Sequence, residues 1–164
     1  MLRNLFRRRP DPSQPLYEAI VAAARQKCFY RDLDVPDTID GRFDMLVLHL
    51  ALVIARLKHE ENELRQHLVN RFCNDMDDNL REIGASDIAV GKKVRRMAEA
   101  FQGRYAAYDA ATDEATLKAA LQRNVYAGRD VSGVSTLAHY VLTARSALAK
   151  QHPNVIASGK VQFS

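Results

Sequence analysis

At 164 residues, 47% apolar and 27% charged, the chain has the size and composition of one folded domain rather than of a disordered or fibrous protein. Its formal net charge of +4 resides wholly in the first ten residues, where Arg3, Arg7, Arg8 and Arg9 stand without an acid; residues 11–164 carry 20 basic and 20 acidic side chains, so the folded body is not strongly basic. The longest nearly unbroken apolar run, Met45 to Ala55, is interrupted by His49 and falls well short of the roughly 20 residues a membrane span needs, and no apolar segment follows the early arginines as a secretory signal requires.

Pro10, Pro12 and Pro15 separate the basic start from the body. A first helix is predicted from Pro15, because proline suits the opening helical position. Leu16, Tyr17, Ile20, Val21, Ala24 and Cys28 recur at three- and four-residue steps and carry it to about Tyr30. The stretch DLDVPDTIDG, residues 32–41, is a loop broken by Pro36, and Asp40 is the predicted cap of the helix that follows. That helix, residues 42–58, is apolar on most sides, with Arg42, His49 and Arg56 forming a thin polar stripe. Such a helix is expected at the centre of its domain. Arg42 and Asp44 are expected to pair across the turn or with neighbouring helices.

The next helix runs from Glu60 to about Ile83, with Leu64, Leu68, Phe72, Met76, Leu80 and Ile83 on its buried face and Gly84 as its C-cap. Ser86 opens a further helix to about Ala110, burying Val90, Val94, Met97, Phe101, Tyr105 and Tyr108. Lys92, Arg95 and Arg96 point away from that face, with Lys93 at the flank. Thr112 caps a helix to about Tyr126, ended by Gly128, and a last helix spans residues 134–150 until Pro153 stops it. The tail after Asn154 reads as loose. No segment alternates with period two, so the fold class is all-α: one irregular bundle of about six helices. Its organisation is a basic tail at 1–14, a helical domain at 15–152 and a short C-terminal tail at 153–164.

Constellations that carry chemistry are sparse. His59, Glu63 and His67 stand four apart and resemble a zinc stripe, but Glu63 occupies the place where a metalloprotease has its second histidine, and a solvated face is the simpler account. Asp75, Asp77 and Asp78 lack the twelve-residue glycine-centred pattern of a calcium loop. His49 reads as a core histidine with a local partner. Cys28 and Cys73, without metal-ligand spacing, read as buried thiols, and a bridge between them stays open. With no phosphate loop, dinucleotide fingerprint or nucleophile elbow, no catalytic residue, metal or cofactor is expected, and the chain reads as a binding protein. Two basic features remain as candidate contacts. Lys92, Lys93, Arg95 and Arg96 are the candidate partner-binding face, and Arg3, Arg7, Arg8 and Arg9 a tether to an anionic membrane or to the ribosome.

Several strings together resemble the ubiquinol–cytochrome c chaperone family: LYEAIVAAAR, VPDTIDGRFDMLVLHL, FCNDMDDNLREIGASDIAVGKKVRRMAEAFQGRYAAYDAA and LQRNVY, in matching order across about residues 15–127. The D-G-R-F-D series at Asp40, Gly41, Arg42, Phe43 and Asp44 is among its more specific parts. The resemblance implies an assembly factor for the respiratory cytochrome bc1 complex, with newly made cytochrome b or another subunit of that complex as client. Mitochondrial members hold that client with a small helical partner near the ribosomal exit. The absence of a long targeting extension implies a bacterial cytoplasmic form, peripheral at the inner membrane face. The competing reading is a ribosome- or RNA-binding regulator that uses the basic helix face. The lack of an aromatic platform beside GKKVRR argues against sequence-specific nucleic-acid recognition.

Overall fold

The computed structural model describes residues 11–60 and 62–164, and among these the regular structure is entirely helical. The chain runs through α1 (Gln14–Ala24), α2 (Lys27–Asp32), α3 (Ile39–Arg56), α4 (Asn62–Glu82), α5 (Asp87–Ala110), α6 (Glu114–Val125), α7 (Gly133–Lys150) and α8 (Pro153–Ala157). The basic segment at residues 1–10, with the four arginines of the expected tether, lies outside the described residues.

The central helix is α3. Every residue from Asp44 to Ile54 is buried, and α1, α5, α6 and α7 all pack against it, as its nearly continuous apolar surface predicts. Two members of the polar stripe on this helix, His49 and Arg56, are absorbed by α7 and its C-terminal end, while Arg42 stays exposed. His49 meets the Tyr140 hydroxyl at 2.8 Å, and the Arg56 guanidinium donates to the carbonyls of Leu148 and Gln151 at 2.9 and 2.8 Å, satisfying the open end of α7. The α4 helix lies across α1 and α5 and buries Leu68, Phe72, Met76 and Leu80.

Several boundaries differ from expectation. The first helix does not continue to Tyr30. Gln26 adopts extended backbone (φ −61°, ψ 129°), and α2 restarts at a new angle. That break takes Cys28 out of the α1 stripe and into solvent, so it is not a buried thiol; Cys73, at the flank of the buried face of α4, is half-buried, and both are free. The cap of α3 is Thr38, whose Oγ1 accepts from the Gly41 N–H at 3.1 Å. Asp40 lies inside the first turn and is exposed. The cap of α6 is likewise Asp113, one residue past Thr112, accepting from the Thr116 N–H at 2.9 Å. Ile83 is not on the buried face, because α4 ends at Glu82 and the chain turns away at Gly84. Pro153 stops α7 but also opens α8, and the segment that follows is packed. Ile156 is fully buried, and Phe163 stands edge-on to the His49 ring at 5.0 Å between centroids.

Candidate functional site

The D-G-R-F-D segment is a junction between helices. Gly41 packs so close to the preceding loop that a Cβ there would lie 1.9 Å from the Pro36 carbonyl oxygen, so only glycine fits. Arg42 reaches back to Asp37 at 2.8 Å across the turn. Phe43 places its ring 6.0 Å from that of Phe72 on α4 and beneath the Arg104 guanidinium, 5.7 Å from its centroid. Asp44 meets Arg104 of α5 at 2.8 Å. Burial pushes the Asp44 carboxyl up to about 6, an effect the adjacent guanidinium only partly offsets. Gly41, Arg42, Phe43 and Asp44 tie α3 to its cap loop, α4 and α5. Asp40 alone has no such contact and is exposed.

His49 is the second buried titratable group. A carbonyl can only accept, so Nδ1 donates to Met45 at 2.8 Å and Nε2 accepts from the Tyr140 hydroxyl. The rings of Phe29 and Phe163 close the pocket edge-on. Burial lowers the histidine to about 4, so it is a neutral core residue with both nitrogens engaged.

A shallow cleft of about 310 Å³ between α3, α5 and α7 is lined in part by Arg56, Tyr105, Tyr108, Asp109 and Arg145. Its cations are engaged by helix ends: Arg145 donates to the carbonyls of Tyr108 and Ala111 at 2.5 and 2.8 Å, closing α5. The cleft's one carboxylate, Asp109, pairs with Lys58 at 3.1 Å, so the charged groups that line it are engaged in holding the fold. Elsewhere, His59 lies in the turn before α4 rather than on the helix with Glu63 and His67, and all three are exposed. Asp75 accepts from the Tyr17 hydroxyl at 2.8 Å, and Asp77 is held by Arg81.

The candidate contact surface is the outer face of α5. Lys92, Lys93, Arg95 and Arg96 are all exposed, while Val90 and Phe101 on the same helix are buried. Arg95 pairs with Glu99 at 3.2 Å, one turn on. Lys92, Lys93 and Arg96 have no ion pair among the described residues. The fold makes no use of Lys92, Lys93 and Arg96, which leaves them free to meet a partner. Arg104, Arg145 and the exposed Ile88 were not singled out from sequence, and Ile83 was expected on the buried face; the two arginines are recognisable only once the elements they join, α5 with α3 through Arg104 and α7 with the end of α5 through Arg145, are brought together.

A family model described as ubiquinol–cytochrome C chaperone matches residues 31–163. The chain is 29% identical over 161 residues to the mitochondrial protein CBP3 of Saccharomyces cerevisiae, covering 90% of this chain and 47% of that one. It is 26% identical over 148 residues to ubiquinol–cytochrome c reductase complex assembly factor 1 of Drosophila melanogaster, covering 83% of this chain and 57% of the relative. The chain thus spans about half the length of these curated relatives. The crystal structure of the Cbp3 homolog from Brucella abortus superposes with a TM-score of 0.83 at 39% identity, over 93% of this chain and 88% of that one.

Proposed function

The chain belongs to the ubiquinol–cytochrome c chaperone family, and on that premise we propose that it is a non-enzymatic assembly factor for the cytochrome bc1 complex, with newly made cytochrome b as its client. The observation that carries this reading is the match over residues 31–163, nearly the whole described body, to a family whose curated relatives are named as assembly factors for that complex. The 39% identity to the Brucella abortus protein supports a bacterial form, and the cytoplasmic side of the inner membrane is its proposed place of action. No helix among the described residues is long and apolar enough to cross a membrane.

In this reading the basic face of Lys92, Lys93, Arg95 and Arg96 is the docking face, and Arg3, Arg7, Arg8 and Arg9 add an electrostatic tether. The face at residues 92–96 supplies charge that the packing of α5 does not need. The test is a strain lacking the chain, supplied with a version in which Lys92, Lys93, Arg95 and Arg96 are changed to glutamate. The variant is expected to fold, since none of the four is buried, and to fail to restore membrane cytochrome b. Full restoration would remove this face from the function. Affinity capture of the wild-type chain from solubilised membranes is expected to bring down cytochrome b. Recovery of ribosomal RNA without any bc1 subunit would favour an RNA-binding regulator instead.

A further inference from the structure

The turn between α4 and α5 carries an apolar patch beside its cations. Ile83 is 71% exposed and Ile88 77% exposed, although Leu80 and Val90 on either side are buried. The turn is held firmly. The Ala85 N–H donates to the Leu80 carbonyl at 3.1 Å and the Gly84 N–H to that of Arg81 at 2.9 Å, with Gly84 at φ +84°, the paired bonds of a Schellman turn. Ile83 is therefore fixed at the tip by the backbone and has no route inward. On α5, Ile88 shares its outward stripe with Lys92 and Arg95, four and seven residues on, and Arg96 borders that stripe. Residues 82–99 contain four cations and three acids; of the acids, Asp87 is bound by Arg81, which also holds Asp77, and Glu99 by Arg95, while Glu82 stands exposed beside Ile83.

We propose that this turn seats on an anionic lipid surface, with Ile83 and Ile88 entering the headgroup boundary and Lys92, Lys93 and Arg96 lying against lipid phosphates. The inference rests on the docking reading above and names the occupant of that face. A single exposed aliphatic side chain is ordinary; two on one rigid tip, bordered by unpaired cations, match the apolar-plus-basic chemistry of an anionic bilayer interface. A nucleic-acid backbone would engage the cations and leave both isoleucines in water.

The sequence contains no tryptophan, so Ile88→Trp in the full chain gives a single reporter at the tip. Mixed phosphatidylglycerol–phosphatidylcholine vesicles are expected to shift its emission to the blue, and phosphatidylcholine vesicles alone to leave it unchanged. Ile83→Trp serves the same purpose should the first variant lose its helical melting transition. Binding to the mixed vesicles is expected to fall on the order of a hundredfold when Lys92, Lys93 and Arg96 are all changed to glutamine. The Ile83→Ser/Ile88→Ser chain is expected to lose about tenfold or more. Unshifted emission from a chain that still co-sediments with the vesicles would overturn the proposal, since attachment would then run through the basic start. Retained ribosomal RNA binding in the serine variant, with no emission shift, would overturn it in favour of RNA. Should the lipid arm fail while the charge-reversed chain still cannot restore cytochrome b, the assembly reading stands and this occupant alone is lost. Restoration by the charge-reversed chain would instead be failure of the docking face itself.

Discussion

The carboxylate of Asp44 on α3 lies 2.8 Å from the guanidinium of Arg104 on α5, and the same guanidinium covers the ring of Phe43, one residue before Asp44. One arginine therefore holds two consecutive positions of the central helix. Arg104→Ala is expected to destabilise the fold by about 3 kcal/mol, the scale of a buried pair broken on one side, because it leaves the Asp44 carboxyl buried without its partner and pushes it further toward the protonated form. Denaturant unfolding at pH 7 measures it, and a loss below about 1 kcal/mol would show that the pair is dispensable.

Asp44 and His49 give the stability opposite pH slopes. The folded carboxyl of Asp44, at about 6, is above its ordinary 3.8. Between those values the folded state holds a proton that the unfolded chain has released, so this group's contribution falls as pH rises through that window. The folded imidazole of His49, at about 4, is below its ordinary 6.5. Its contribution is complete above about 6.5 and is lost as pH falls toward 4. Asp44→Asn is expected to leave stability at pH 7 undiminished while exposing the histidine slope, so that the variant loses more stability than wild type between pH 6.5 and 4. A parallel pH profile for the two proteins would contradict the assignment.

Tyr140→Phe tests the histidine pocket directly. It removes the hydroxyl that donates to Nε2 and leaves a buried acceptor without a partner, at an expected cost of about 1–3 kcal/mol. Thermal melting at pH 7.5, where the histidine is neutral, isolates this loss from titration. A melting temperature equal to that of wild type would mean that the nitrogen finds another donor.

The segment before α3 separates three roles that lie within four residues. Thr38→Ala is expected to cost about 0.5–2 kcal/mol as the loss of a helix cap. Asp40→Ala is expected to cost less than about 1 kcal/mol, because the acid only faces the positive end of the helix. Gly41→Ala is expected to cost more than either, since the new methyl meets the Pro36 carbonyl and backbone must shift to admit it. A ranking with Asp40 above Thr38 in urea unfolding would restore Asp40 as the cap.

What was legible in the sequence followed from local physics. The apolar run through Leu50 marked α3 as central, and Leu50 is fully buried. Gly84 marked the end of α4 because its positive φ needs glycine. Caps were displaced by one or two residues where good cappers stand together, as Thr38 with Asp40 and Thr112 with Asp113, since the choice depends on where the backbone turns. The restart at Gln26 was hidden because the apolar spacing continues through it. The C-terminal segment looked polar and loose, yet Ile156 and Phe163 find a pocket made by α1, α3 and α7, which no local pattern announces. The cations of α5 were readable as an outward stripe. The isoleucines beside them were not, since one had been assigned to the buried face of α4.

The central claim is that this chain supports assembly of the cytochrome bc1 complex, and the reduced-minus-oxidised absorbance of membranes from a strain lacking it tests that most directly. The account predicts that the cytochrome b signal of the complex falls while other membrane oxidases keep theirs, and that the wild-type chain brings it back. A deletion strain with an undiminished cytochrome b signal would contradict the account.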